Sequence, residues 1–281
     1  MTVRIVTDST CDLPASIITT YGIHVVPLYI NTGRQGYLDG VDITREEFYT
    51  RLPDFPEHPT TAVPSIGRFT AAYNTLADEG ATEILSIHIS ASLSGVMDVA
   101  RVAAGSMENV RVTVIDSHQL SLGTGFLVQT AAELAAEGKS VPEIMSALRS
   151  QIERTHVFAA LDTLEFLKRS GRMNKYVANF ASLLQIKPIL TMYDGKPGTE
   201  RVRTRDRAIK RILEMLDSFG RLEKIAIVHT HATLDRLNEF KKIAAAHLPK
   251  VDILIEDITP VIGAHIGPDA IGFAIVTASD K

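Results

Sequence analysis

Residues 84–115, ILSIHISASLSGVMDVARVAAGSMENVRVTVI, contain the pattern that decides the fold. The β-branched runs at 84–89 and 110–115 predict two buried strands, and the stretch 95–104 between them predicts a helix. Two strands that are joined by a crossover helix normally lie parallel in one sheet. The segment therefore predicts an α/β fold built on a parallel sheet.

Short apolar runs alternate with longer amphipathic stretches through the whole first half of the chain. This alternation predicts a parallel sheet that is covered by helices on both faces. We therefore expect an N-terminal α/β/α domain over residues 1–165. Its further strands are predicted at residues 3–7, 24–30 and 157–161, and its further helices at residues 14–21, 44–52, 65–79, 120–136 and 141–154.

The second half begins with a hairpin signal. The turn sequence DGKPG at residues 194–198 separates two short strand-like runs, 189–192 and 200–203, and turns of this composition join antiparallel strands. We therefore expect a C-terminal α+β domain with a mixed or antiparallel sheet over residues 166–281. Its helices are predicted at residues 205–219 and 234–247, and its further strands at residues 225–229, 251–257 and 271–276.

Composition excludes several classes of protein. The formal net charge is -4, with 29 Lys and Arg against 33 Asp and Glu, so the broad basic surface of a nucleic-acid-binding protein is not expected. Cys11 is the single cysteine, and an intrachain disulfide is therefore excluded. The first residues lack the pattern of a signal peptide, and no apolar run reaches the ~18 residues of a membrane span. These features predict a cytoplasmic protein.

Three segments that lie just before or after predicted elements are candidates for an anion site. Residues 90–95, SASLSG, follow a strand and open a helix, and the N–H groups at a helix start attract anions. Residues 60–65, TTAVPS, also precede a helix, and residues 263–268, GAHIGP, carry a histidine between glycines. Taken alone, each has a simpler interpretation as a helix cap, an ordinary loop or a structural histidine.

Other residues with reactive side chains fit catalysis poorly. Asp12 together with Pro14 is typical of a helix start, and Cys11 has no general base nearby in the sequence. The pair His229 and His231 could bind zinc, but no third ligand follows at metal spacing, so a structural role is favoured. The sequence contains no phosphate-binding loop or nucleophile elbow that would mark an ATP site or a hydrolase. No metal or cofactor is expected.

Taken in order, six short segments resemble the DegV family, whose better-understood members are the fatty-acid-binding subunits of bacterial fatty acid kinase. The resemblance runs essentially from end to end, and each segment is weak alone. The segments are IVTDSTCDLP at 5–14, TAVPS at 61–65, ISASLSG at 89–95, DS at 116–117 with GTG at 123–125, LKRSGR at 167–172 and GAHIGP at 263–268.

The resemblance implies two α/β domains with an acyl tunnel between them and a long-chain fatty acid as the ligand. It assigns the acid's carboxylate to Thr61, Ser94 and His265, with the N–H groups at the helix start of Gly95 as further donors. It also implies that the basic stretch 201–207 docks a separate ATP-dependent kinase subunit, and Arg203 is the residue assigned to that contact. This chain would then be a non-catalytic binding subunit.

Two alternatives stay open. The same cleft would suit an enzyme that acts on a small carboxylate or phosphate, which requires a compact polar pocket. A lipid carrier or sensor without a kinase partner would need the tunnel but not Arg203, and transient contact with a membrane also remains open. The apolar residues considered for the tail are Phe126, Phe166, Leu183 and Leu184, although an ordinary core position is favoured for each.

Overall fold

A computed structural model describes residues 2–173, 186–249 and 253–279 of the chain. The strands are β1 (Val3–Asp8), β2 (His24–Val26), β3 (Tyr29–Thr32), β4 (Gln35–Leu38), β5 (Thr60–Ala62), β6 (Glu83–His88), β7 (Arg111–Asp116), β8 (Thr155–Ala160), β9 (Lys187–Tyr193), β10 (Lys196–Val202), β11 (Leu222–His229), β12 (Leu254–Asp257) and β13 (Ile271–Thr277). The helices are α1 (Ala15–Tyr21), α2 (Arg45–Arg51), α3 (Ile66–Asp78), α4 (Val96–Gly105), α5 (Leu122–Ala136), α6 (Val141–Ile152), α7 (Glu165–Arg169), α8 (Arg205–Ser218), α9 (Leu234–Ala244) and α10 (Pro260–Ile266).

The first sheet has the strand order β2-β1-β6-β7, and every pair in it is parallel. The strands are joined by helices, as the alternating pattern of the sequence predicts. The helix predicted at 44–52 begins at Thr44 with a capping box, in which Glu47 and Thr44 bond each other's backbone N–H groups. The parallel α/β part of the predicted fold class is confirmed.

The second sheet has the order β10-β9-β8-β13-β11-β12 and is mixed. Its neighbours are antiparallel except for β11 and β12, which are parallel. The predicted hairpin is the turn between β9 and β10, where Asp194 and Gly195 both have positive φ. The mixed second sheet is therefore confirmed. The strand predicted at 157–161 is β8, and it pairs in this sheet between β9 and β13.

The two faces of the second sheet lie in different cores. On one face, side chains such as Phe158, Ile227 and Phe273 pack in a core that also includes residues of α8 and α9. On the opposite face, Val157, Ala159 and Val228 join a larger core that also contains the first sheet. The halves thus share apolar packing, and the division at residues 165 and 166 stays a prediction.

A third, three-stranded sheet has the order β4-β3-β5 and is antiparallel. The strand predicted at 24–30 is two strands, because β2 ends at Val26 and β3 begins at Tyr29, and the intervening Pro27 cannot donate to a ladder. Thr61, expected in a loop, lies in β5 opposite Ile30. Among the described residues, no helix has the length and apolar character needed to cross a membrane.

Candidate functional site

A cavity of about 710 Å³, counting its open mouth, lies where the first sheet, the third sheet and α10 meet. We call it the first cavity. Its lining is apolar except at a few positions, where hydroxyl groups, a histidine and an arginine are exposed to it. The lining residues are Thr10, Leu28, Thr61, Ala62, Val63, Ile89, Leu93, Ser94, Gly95, Leu120, Leu167, Arg172, Val261, Ile262, His265 and Ile266. Thr61, Ser94, Gly95 and His265, predicted from separate parts of the sequence, are therefore neighbours in space.

Thr61 and His265 are in direct contact in the lining of the first cavity. The Thr61 Oγ1 and His265 Nε2 atoms are 3.0 Å apart. Thr61 is held by the pairing of β5 with β3, and His265 lies in the last turn of α10. Gly263 of the same motif has a packing role, because a Cβ at this position would overlap the Tyr49 hydroxyl.

Ser94 and Gly95 form the turn between β6 and α4. Gly95 is the N-cap of α4, and the Val96 N–H donates to Ser94 Oγ at 3.4 Å, a long bond. Ser94 is half-buried and Gly95 is exposed. The start of α4 thus places a hydroxyl group and helix N–H groups at the same cavity, which is an arrangement that attracts anions.

Arg172 also lines the first cavity, and sequence reasoning did not select it. It is half-buried, and its Nη1 atom lies 3.4 Å from the Ser170 carbonyl oxygen. The signal was present, because Arg172 ends the LKRSGR segment that resembles the family. A guanidinium group is a strong partner for a carboxylate, so the polar end of the cavity carries a cation as well as hydroxyl groups.

A second cavity adjoins the first, since Leu120, Ile262 and Ile266 line both. It measures about 430 Å³ when the open space at its mouth is included, and it reaches the inner face of the second sheet. Nearly all of its lining is aliphatic. Its lining residues are Leu120, Ser121, Val157, Ala159, Leu161, Leu190, Thr191, Met192, Val228, Ile258, Ile262 and Ile266.

The remaining candidates lie elsewhere. Arg203 is exposed just after β10 and lines neither cavity. Phe126 is buried in α5, where Lys224 Nζ lies 6.0 Å from its ring centre, and Phe166 packs against Gly267. Neither phenylalanine lines either cavity. The tail candidates Leu183 and Leu184 lie outside the described residues.

Cys11, His229 and His231, the side chains considered for catalysis or zinc binding, line neither cavity. Burial raises the pKa of the Cys11 thiol to about 12, which leaves it a poor nucleophile. His229 and His231 lie near a shared carboxylate, Asp257, at 3.5 and 3.4 Å. Within the described ranges, no group of histidine, cysteine and acidic side chains could hold a metal ion.

Comparison with known proteins gives consistent matches over the whole chain. A family model described as "Uncharacterised protein, DegV family" matches residues 2–278. A DegV domain-containing protein of Staphylococcus aureus is 35% identical over 278 residues, which cover 97% of this chain and 98% of that protein. Protein DegV of Bacillus subtilis is 32% identical over the same shares of both chains.

Solved structures of similar proteins have the same fold. A DegV family protein from Thermus thermophilus, described for its fatty acid binding, superposes with a TM-score of 0.88 at 33% identity and covers 99% of this chain and 100% of its own. The Bacillus subtilis DegV structure, described as a fatty acid binding protein, gives 0.89 at 30% identity with the same coverage. A stearic acid-binding protein from Eubacterium ventriosum gives 0.87 at 27% identity and covers 98% of both chains.

Proposed function

This chain belongs to the DegV family, and we propose that it binds one long-chain fatty acid with its carboxylate in the first cavity and its tail in the second. The observation that carries the proposal is the junction of the two cavities. Hydroxyl, imidazole and guanidinium groups line one end, and aliphatic side chains line the other. An amphiphile with one anionic end and a long apolar tail matches both ends.

The carboxylate would bind at Thr61, Ser94 and His265. A carboxylate cannot leave water without hydrogen-bond donors, and the two hydroxyl groups with the N–H groups of the first turn of α4 would supply them. Arg172, which lines the same cavity, would balance the charge. The Thr61 Oγ1 and His265 Nε2 atoms are 3.0 Å apart, so an imidazole N–H that donates to the Thr61 oxygen would leave the Thr61 hydroxyl hydrogen for the carboxylate.

The tail would extend past Leu120, Ile262 and Ile266, which connect the two cavities. Each methylene group that leaves water contributes about 0.8 kcal/mol. A sixteen-carbon chain would thus contribute roughly 11 kcal/mol before the costs of association and ordering are subtracted. The aliphatic second cavity supports a lipid in preference to a small polar carboxylate.

The first experiment is to look for a co-purified ligand. Native and denaturing mass spectrometry of the protein, with solvent extraction, should give one equivalent of a long-chain fatty acid. The Thr61→Ala/Ser94→Ala variant should lose roughly 3 kcal/mol of binding free energy, or about a hundredfold in affinity. The control is Thr60→Ala/Ser92→Ala, which removes the same atoms from neighbours that do not line the cavity. An empty protein that takes up no added fatty acid contradicts the proposal.

We further propose that the bound acid is presented to a separate kinase subunit and that this chain is not itself catalytic. The site has donors for a carboxylate but no evident nucleophile, and the sequence has no recognised ATP site. Arg203 supports docking because it is exposed and forms no ion pair with a described residue. Acyl phosphate produced from ATP by this chain alone would contradict the proposal.

The docking role has its own test. In a coupled assay with a kinase subunit, Arg203→Ala should lower acyl phosphate formation while fatty acid binding stays unchanged. Arg34→Ala removes another exposed arginine, in the turn between β3 and β4, and should leave both unchanged. If Arg203→Ala leaves acyl phosphate formation unchanged in a working pair of subunits, Arg203 does not dock the kinase. The hypothesis of a lipid carrier that does not use Arg203 is then favoured.

A further inference from the structure

Asp12 is a buried carboxylate that holds three segments of the chain together. It ends the short turn after β1 and has a φ of 53°, a left-handed conformation that is uncommon for a residue with a side chain. Its side chain has no exposed surface. One oxygen accepts from Ser121 Oγ at 2.6 Å, and the other accepts from the Thr259 N–H at 2.8 Å and from Arg45 Nη2 at 3.1 Å.

Two of these partners, Ser121 and Thr259, are the N-caps of helices that begin beside the cavities. Ser121 is the N-cap of α5, has a φ of 52°, and follows Leu120, which lines both cavities. Thr259 is the N-cap of α10, which contributes Ile262, His265 and Ile266 to the lining. Asp12 itself lines neither cavity. It therefore acts on the lining only through the segments it holds.

The start of α10 is held by a second carboxylate. The Thr259 hydroxyl donates to Asp39 at 2.5 Å and accepts from the Val261 N–H at 3.2 Å. Arg45, which faces Asp12, also donates to the Asp257 carbonyl and lies 3.7 Å from Glu256. The first turn of α10 is thereby fixed to the turn after β1 and to the end of β12.

We infer that Asp12 is a positioning residue for the fatty acid site, which fixes the start of α10 so that His265 at its other end reaches Thr61. The inference rests on the proposed function, since it names what sets the geometry of that site. Thr61 belongs to a different sheet from the strand that precedes Asp12. A small tilt of α10 would therefore lengthen the 3.0 Å contact between Thr61 and His265 without moving Thr61.

The chemistry of Asp12 selects the informative variants. Burial raises the pKa of Asp12 to about 7, while Arg45, Ser121 and the Thr259 N–H lower it, and the charge of Asp39 raises it. We therefore expect a neutral side chain of the same shape to be tolerated. In Asp12→Asn, the amide oxygen still accepts from the Thr259 N–H and the amide nitrogen donates to Ser121 Oγ. Asp12→Ala removes all of these bonds.

The test combines fatty acid affinity with the imidazole nitrogen resonances of His265 in the full-length, ligand-free protein. Asp12→Ala should weaken palmitate binding about tenfold and shift the His265 signals, and Asp12→Asn should restore most of both. The control is Leu148→Ala, a buried residue of α6 that lines neither cavity. It should lower the melting temperature and leave both readouts unchanged.

The inference is overturned if Asp12→Ala binds palmitate as the parent does with unmoved His265 signals, or if Leu148→Ala reproduces its effects. If Asp12→Ala does not fold, Asp12→Gly removes the same side-chain bonds and adopts the φ of 53° without strain, and unmoved His265 signals in it would also overturn the inference. A parent protein that binds no fatty acid would contradict the proposed function, while the His265 signals still test the positioning.

Discussion

The two faces of the second sheet differ in what they leave unfilled. The outer face carries Phe158 and Phe273 and packs in a core with residues of α8 and α9. The inner face of the same strands carries Ala159 and Ala274. Helix α5 packs against β13 on this face. Alternating residues of one strand point to opposite faces, so a single run such as 157–160 builds both. The outer face borders an open groove between α8 and α9, which charged side chains such as Arg205 and Glu239 line together with Ile271. The inner face borders the aliphatic second cavity.

The difference shows that core packing and cavity space are encoded by neighbouring residues. Large side chains on the outer face stabilise the sheet by burial. Small ones on the inner face leave room beside α5 and for the cavity that Ala159 lines. Variants of adjacent residues should therefore separate the two properties.

The largest effect is expected at the outer face. Phe273 is fully buried there, and Phe273→Ala should lower the free energy of unfolding by about 3–5 kcal/mol through lost burial and a new cavity. Urea unfolding measures the loss. Fatty acid affinity of the folded protein should change little, since Phe273 lines neither cavity. A large loss of affinity in folded protein would break the separation of the faces.

A paired substitution on β8 should distinguish the faces directly. Ala159→Phe would fill the second cavity and weaken the binding of long acids. The binding free energy should fall by about 0.8 kcal/mol for each methylene group that no longer fits. Ala160→Phe, on the outer face, should instead overpack that core and lower stability by about 1–3 kcal/mol. Dissociation constants for acids of increasing chain length measure the first effect and urea unfolding the second. Equal chain-length profiles for both variants would contradict the assignment of the tail.

The pH dependence of stability should report the carboxylate that holds the helices over the inner face. Burial raises the pKa of Asp12 from 3.8 to about 7, so the folded protein binds more protons than the unfolded chain between these values. This contribution to stability is fully present below pH 4 and is lost as the pH rises through 7. Compared with Asp12→Asn, the parent should lose stability on going from pH 5 to 7, by up to about 1.4 kcal/mol per pH unit. Parallel stability curves would show that Asp12 stays ionised.

The smallest expected effect concerns the helices of the outer face. Thr204 caps α8 by accepting from the Arg207 N–H at 3.3 Å. Thr204→Ala should cost about 1 kcal/mol of unfolding free energy and leave the affinity for fatty acid unchanged. Thr233→Ala, at the equivalent cap of α9, should behave alike, and urea unfolding of both variants compares them. A change in chain-length preference in either variant would link the outer face to the ligand.

The sequence allowed most elements to be predicted, because each depends on local periodicity and capping. The alternation around residues 84–115 predicts the parallel sheet, and the DGKPG turn predicts the β9–β10 hairpin. Pairing between distant segments was less accessible. Nothing local in Thr60–Ala62 indicates that it pairs with Tyr29–Thr32, and nothing in β8 indicates that its neighbours are β9 and β13.

The site shows the same division. The segments that contain Ser94, Thr61 and His265 have a recognisable composition, the family resemblance assigned these residues within them, and the structure places all three around one cavity. Arg172 and Asp12 were not selected as site residues. Their roles depend on partners that are distant in sequence, such as Thr259 for Asp12, and periodicity carries no information about such contacts.

The position of β13 has a consequence for the synthesis of the protein. This strand, at residues 271–277, lies between β8 and β11 in the middle of the second sheet. A chain emerging from the ribosome can form the parallel sheet early, because β1, β2, β6 and β7 are all translated by residue 116. The second sheet cannot complete its strand pairing until residues 271–277 emerge. Until then, β8 and β11 each have one edge without the partner strand β13. Premature termination near the end of translation would leave these edges open to aggregation.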